Sequence, residues 1–184
     1  MPHRVDEGLA TTLKRVASVL KQAEIPFALG GSFAVYAHGG HSSDHDVDFL
    51  LREPDADRAL HLLGDEGFRC ERPPEHWLYK VYGEDGAMID LIFAPNNRPE
   101  MVDDQLARAE ELEVYAIAMK VMSVTDVLAT KLLALKEHEV NYDGVLEMTR
   151  ALRERIDWPL LRKLTAESPY AHAYFTLCEE LGLT

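Results

Sequence analysis

Apolar positions recur at helical spacing at the start of the chain. Leu9, Leu13, Val16 and Leu20 form one stripe and Lys14, Arg15 and Lys21 fall off it, which predicts a helix over residues 6–23. Glu24-Ile25-Pro26 ends that helix, because proline disfavours helical backbone in the residue before it. Phe27-Ala28-Leu29 is short and wholly apolar, the pattern of a buried strand. Gly30-Gly31 then turns the chain, Ser32 is placed to cap a short helix from Phe33 to about His38, and Gly39-Gly40 closes it. Residues 46–51 read as a second strand, with Asp46 and Asp48 alternating with Val47 and Phe49. Side chains two apart on a strand share a face, so the two carboxylates are expected to project together.

A further helix begins at Pro54-Asp55, carries Ala56, Leu60 and Leu63 on its apolar side and ends at Gly67. Three strand candidates follow at 68–71, 77–82 and 87–93, with Glu84-Asp85-Gly86 as a hairpin signal between the last two. The third of these holds Asp90 between Ile89 and Leu91, and a carboxylate there is costly to bury without a partner. Pro95 to Pro99 reads as a loop, residues 101–109 as a short helix, and 112–122 as one more strand. Ser123-Val124-Thr125-Asp126 resembles a capping box, with aspartate where glutamate is usual. It opens a helix that turns Val127, Leu128, Leu132 and Leu135 inward and contains Lys131. Segments near 142–155, 158–166 and 169–181 read as helices, the last opened by Ser168-Pro169. The expected class is α/β (α+β): a small mixed sheet flanked by helices over residues 1–122, with a helical region over 123–184 packed on it.

Composition narrows the partners. The 184 residues suit one generous domain, or one domain with a small helical appendage. A formal net charge of −13 repels nucleic acid unless basic residues gather locally, and it attracts cationic small molecules and divalent metals. Arg150, Arg153, Arg155, Arg162 and Lys163 do gather, and read as a solvated helix face. No apolar run approaches the roughly 20 residues that span a bilayer, and the first residues lack an apolar signal core, so the expectation is a cytoplasmic protein with no membrane partner. Cys70 and Cys178 stand far apart and read as reduced, buried small residues. His38, His41 and His45 read as loop histidines beside an acidic site rather than as zinc ligands. Trp77 and Tyr79 could stack a base, but aromatics on a strand more often pack.

Three features carry chemistry. Glycines let backbone amides approach phosphate oxygens, a helix start favours anions, and Ser32 adds a hydroxyl. Asp46 and Asp48 supply hard oxygen ligands of the kind magnesium takes together with water and substrate phosphates. Asp90 can complete a second metal site or accept the proton of an attacking hydroxyl.

In this order, Leu29, Gly30-Gly31-Ser32, Asp46-Val47-Asp48 and Ile89-Asp90-Leu91 resemble the motif of the nucleotidyltransferase superfamily related to DNA polymerase beta. The match spans roughly the first half of the chain. The resemblance implies a transferase that moves a nucleoside monophosphate from a nucleoside triphosphate to an acceptor hydroxyl. It assigns Mg2+ to Asp46 and Asp48, and to Asp90 if a second ion binds. Asp46, Asp48 and Asp90 would be the catalytic residues, and Gly30, Gly31 and Ser32 would cradle the phosphates. In the second half, Lys131-Leu132-Leu133-Ala134-Leu135 followed by Asp143 resembles the lysine and aspartate of abortive-infection-type nucleotidyltransferase toxins, which implies nucleotide binding by Lys131 and Asp143. The Gly-Gly and Asp-x-Asp spacing also resembles small lincosamide or aminoglycoside nucleotidyltransferases. Many relatives carry Arg-x-Thr or Arg-x-Ser before the Asp-x-Asp, where this chain has Ser42 and Asp44. Two acceptors follow from the two resemblances: a small molecule, or the 3′ end of tRNA in a toxin role with an antitoxin protein as partner. The alternative is a catalytically silent nucleotide-binding module of the same fold.

Overall fold

The first amphipathic stripe folds as a helix, α1 (Glu7–Gln22), and buries Leu13, Val16 and Leu20 completely. The computed structural model describes residues 7–41, 46–84 and 86–184. Asp44 and His45 lie outside them. After α1 come β1 (Ala28–Leu29), α2 (Gly31–Ala37), β2 (Val47–Leu50) and α3 (Glu53–Asp65). Then follow β3 (Arg69–Glu71), β4 (Leu78–Tyr82), β5 (Met88–Ile92), two 3-10 turns (Pro95–Asn97 and Pro99–Met101) and α4 (Val102–Arg108). The chain continues with β6 (Glu110–Val114), β7 (Ile117–Val121), α5 (Val124–Leu133), α6 (Asp143–Leu152), a 3-10 turn at Arg153–Arg155, α7 (Trp158–Leu164) and α8 (Pro169–Glu180).

The strands form one mixed sheet in the order β3-β4-β5-β2-β1-β7-β6. β2 runs parallel to β5 and antiparallel to β1, and β1 is parallel to β7. This is the mixed α/β class expected, with every element after β7 helical. Val47, Phe49, Ile89 and Leu91 are fully buried. They alternate with Asp48 and Asp90, so the apolar half of each strand faces the core and the acidic half the opposite side. α1 packs against α3 and β5, and α5 packs against α2, α6, α7 and α8.

Two expectations need correction. Ser32 does not cap α2; Gly30 occupies that position and no side chain caps the helix. Gly31, at φ +54°, already turns the chain into the helix, so the serine lies inside it. Residues 110–121 make two strands rather than one. Tyr115 and Ala116 both adopt left-handed backbone (φ +50° and +65°) and close a tight hairpin. Such turns usually advertise themselves with Asn-Gly or Asp-Gly, and this one carries neither residue.

The helical half is anchored through Asp126. Its carboxylate is fully buried, accepts from Arg108 Nη2 (2.7 Å) and Nε (2.9 Å), and accepts from Ser123 Oγ (2.7 Å), while Ser123 Oγ accepts the Asp126 amide. The capping box read in the sequence is thus also the buried end of an ion pair linking α4 to α5. Cys70 and Cys178 are free thiols, and Cys178 is buried. Among the described residues no helix is long and apolar enough to cross a membrane. Removing one partner of a buried pair leaves the other charge without compensation. Arg108→Leu should therefore cost about 3 kcal/mol in urea unfolding, and adding Asp126→Asn should recover part of that loss. A change below about 0.5 kcal/mol would remove Asp126 as the anchor of α5.

Candidate active site

The turn from β1 into α2 is tied to β2 at one residue. The Gly30 amide donates to the Asp48 carbonyl (2.7 Å). A β-carbon at residue 31 would lie 1.8 Å from Asp48 Oδ2, so only glycine leaves room for that carboxylate, and its φ of +54° asks for glycine as well. A β-carbon at residue 30 would meet Met122 Sδ at 3.0 Å. His38 Nε2 donates to the Met122 carbonyl (2.9 Å), which makes this buried histidine a brace for the turn. Burial lowers its pKa, with the hydrogen bond to Met122 acting against that effect.

The three aspartates come to one side of the sheet. Asp48 on β2 is the register partner of Asp90 on the parallel strand β5. Asp46 immediately precedes β2 with an exposed side chain, and its charge is felt at both Asp48 and Asp90. A residue not singled out in the sequence joins them. Lys80, on β4, is the antiparallel register partner of Asp90, and its Nζ donates to Asp90 Oδ1 at 3.0 Å. Its signal was present: a hairpin centred on Asp85 pairs residue 80 with residue 90.

Charge at the centre is unbalanced. Three carboxylates face two ammonium groups, Lys80 and Lys131. Asp48 is pushed up to about 7, by burial first and by the charge of Asp90 next, with Lys131 pulling the other way. Asp90 is also raised by burial despite its bond to Lys80, because Asp46 and Glu75 add negative charge. Burial lowers the Lys80 pKa, but the hydrogen bond and charge of Asp90 outweigh it and the net direction is up. Such a donor set fits a hard divalent cation, which would replace the proton that burial and repulsion otherwise favour. Among the described residues no group of three or more His, Cys, Asp or Glu side chains is placed to hold a metal ion, and the Asp90 carboxylate is turned toward Lys80, so the fit is one of donor type.

Two cavities lie on either side of Lys131, which lines both, and Asp48 lines the first. One, of about 170 Å3, is bounded by Gly30, Gly31, Asp48, Met122, Thr130 and Lys131, with Leu50, Ile92 and Val127 making it largely apolar. The other, of about 220 Å3, is lined by Ser32, Val35, His41, Lys131, Gly144, Glu147 and Met148. The structure thus brings Gly30, Gly31 and Asp48 to one cavity and Ser32 to the other, with Lys131 lining both. Asp143 does not join them. It is exposed at the start of α6, its amide donates to Asn141 Oδ1 (2.9 Å), and neither cavity is lined by it. Glu147, one helical turn later, takes that place. Of the basic cluster, Arg155 pairs with Glu110 and Arg162 with Glu179, as a solvated face would. Tyr79 is a packing residue that donates to Asp57 (3.0 Å) and sets its ring at a tilt against Phe93.

A family model described as an uncharacterised nucleotidyltransferase matches residues 4–180. No curated protein matches the chain significantly. Among solved structures, ANT(2″)-Ia in complex with adenylyl-2″-tobramycin is similar, with a TM-score of 0.61 at 12% identity over 90% of this chain and 98% of that one. The lincosamide antibiotic adenylyltransferase LnuA, lincomycin-bound, gives 0.55 at 14% identity over 80% and 96%. An antigenic nucleotidyltransferase-like protein from Paracoccidioides brasiliensis gives 0.54 at 18% identity over 79% and 77%. At these identities the likeness is one of fold.

The geometry generates two expectations. Folded Asp48 holds its proton up to about pH 7, whereas an unfolded aspartate releases it near 4. The folded state therefore binds more protons across that window, and metal-free protein should lose stability as pH rises from about 4 to 7. Asp48→Asn should remove a contribution of roughly 2–4 kcal/mol at pH 8, read from thermal unfolding in chelator; a variant profile as steep as the wild type would assign the titration to another group. Gly31→Ala should destabilise by about 1–3 kcal/mol from its backbone alone, and the same melts should show the Asp48 pH dependence weakened as the carboxylate is displaced.

Proposed function

This chain belongs to the nucleotidyltransferase family whose model spans residues 4–180, and from that premise we propose that it joins a nucleoside monophosphate to an acceptor hydroxyl in a magnesium-dependent reaction. The observation that supports this reading best is the pairing of Asp48 with Asp90 on neighbouring parallel strands beneath the Gly30-Gly31 turn. The acceptor oxygen attacks the α-phosphorus of a nucleoside triphosphate. A new P–O bond forms as the bond to the bridging oxygen of pyrophosphate breaks, and pyrophosphate leaves with the electron pair. The hydroxyl proton passes to the Asp90 carboxylate. Asp46 and Asp48 would hold the magnesium ion, which would supply charge neutralisation on the phosphate oxygens.

The remaining residues have supporting roles in this reading. Gly30 acts by fixing Asp48, since its amide is given to the Asp48 carbonyl. Gly31 and Ser32 begin α2, where the helix start favours the phosphates. The Lys131 ammonium, at the wall between the two cavities, neutralises triphosphate charge. Asp143 lies too far along the surface to line either cavity, and Glu147 is the acidic residue available to a cationic part of the ligand.

A small acceptor fits better than the 3′ end of tRNA. The net charge of −13 disfavours a polyanion, and Arg155 and Arg162 of the C-terminal basic cluster are drawn into separate ion pairs. ANT(2″)-Ia and LnuA, similar in fold, are found with tobramycin and lincomycin moieties, both small molecules. The toxin role, with an antitoxin protein as partner, goes with the tRNA acceptor alone.

Pyrophosphate release from labelled triphosphates, offered with total RNA and separately with hydroxylated antibiotics, tests the assignment. Asp46→Ala should lower turnover by about 10²–10³-fold or more, the scale of losing a group that stabilises transition-state charge. Activity that survives this change would sink the reading. Triphosphate binding with magnesium, seen by calorimetry without any transfer, would instead favour the silent module. Activity on the true acceptor should respond weakly to salt; a steep loss would point to RNA.

A further inference from the structure

Asp90 sits between opposite charges. Across one edge of β5 its register partner is the carboxylate of Asp48, and across the other it is the ammonium of Lys80. Lys80 is held there by its strand. Tyr79 and Val81, its neighbours on β4, are buried on the opposite face, and the hairpin to β5 is closed by Gly83 and Ala87, where the Gly83 amide donates to the Ala87 carbonyl (2.8 Å). A one-residue slip of that register would turn both buried side chains outward. The Lys80 side chain is 24% exposed and that of Asp90 13%, so the contact is largely out of solvent and is screened little by salt.

A two-metal centre needs a cation on each side of the reacting phosphate, the two about 4 Å apart. Asp46 and Asp48 offer one such position. The other would have to be at Asp90, where Lys80 Nζ already lies 3.0 Å from Oδ1. A second dication placed on the same carboxylate would face that ammonium at close range.

We propose that Lys80 is a positioning residue whose ammonium takes the cation position beside Asp90, so that the centre admits a single divalent ion, on Asp46 and Asp48. The inference rests on the magnesium-dependent reading above and decides the role of Asp90 within it. Lys80 holds Oδ1 and orients the carboxylate, and Oδ2 is left to take the proton of the acceptor hydroxyl. No second metal stands between Asp90 and the acceptor.

Counting bound Mn2+ by electron paramagnetic resonance, in the presence of a non-hydrolysable nucleoside triphosphate analogue, tests this directly. With the analogue saturating the protein and unbound analogue and Mn2+ removed, the wild type should hold one ion in total per chain. Lys80→Arg should also bind one, because the cation is retained. Lys80→Met should bind two, and Lys80→Gln is the second neutral variant if methionine prevents folding, with circular dichroism reporting on each. Two ions in the wild type would overturn the role of Lys80 and leave the nucleotidyltransferase reading standing. One ion in folded neutral variants would overturn it as well, since the lysine would not be what excludes the second. No protein-held Mn2+ in the wild type would remove both this inference and the metal-dependent reading beneath it.

Discussion

The centre depends on one close approach: Asp48 Oδ2 occupies the space that a β-carbon on residue 31 would fill. The approach joins the two ends of the motif. It brings the start of α2 over the carboxylate, and the hydrogen bond from Gly30 to the Asp48 carbonyl holds the same strand by its backbone. A side chain at residue 31 would have to push α2 away from β2, and the gap between helix start and carboxylate would widen. The glycine pair is therefore first a packing device. Its proposed part in phosphate binding would follow from where it puts α2, since the Gly30 amide is given to the Asp48 carbonyl.

The sheet sustains this concentration of charge because its two faces differ. Val47, Phe49, Ile89 and Leu91 are fully buried on the side of the core, where apolar burial worth about 1.5–3 kcal/mol per side chain fixes β2 against β5. The alternating positions can then hold Asp48 and Asp90 in register although they repel. The repulsion does not relax, because a slip of either strand would expose the apolar set. Burial first, and this repulsion second, push the Asp48 carboxyl up to about 7. In the proposed reaction, a cation bound there would convert this repulsion into affinity.

Most of what was legible came from residues that obey one local rule. The stripe of α1, the Asp-x-Asp strand, the capping box at Ser123 and the order of the three aspartates were all readable, because each repeats a period or a fixed spacing. What was lost needed either an unusual backbone or a partner far away. The turn at Tyr115 and Ala116 puts two ordinary residues in left-handed backbone, so residues 112–122 read as one strand. Ser32 looked like a cap because nothing local says that Gly31 has already turned the chain. Asp143 and Glu147 lie on one helix face, and only the packing of α6 beside Lys131 decides between them. Lys80 was readable in principle from the hairpin register, but a lysine on a strand is usually a solvent-facing residue until its partner is known.

Lys131 shows how the helical half enters the chemistry of the sheet. α5 is pinned at its start by Ser123 and by the pair between Asp126 and Arg108. It is pinned again one turn later, where Asn96 donates to the Thr130 carbonyl (3.1 Å) and Gln105 Nε2 to Thr130 Oγ1 (3.4 Å). The residue after Thr130 is therefore set by contacts from the loop after β5 and from α4, not by the charges it faces. Lys131 can lie between an apolar cavity and a polar one without collapsing onto Asp48, and it remains half-buried rather than swinging free. A ligand long enough to reach from one cavity to the other must pass this ammonium. A chain of phosphates meets that requirement with a charge at every step, whereas a neutral ligand would leave the lysine facing carboxylates alone.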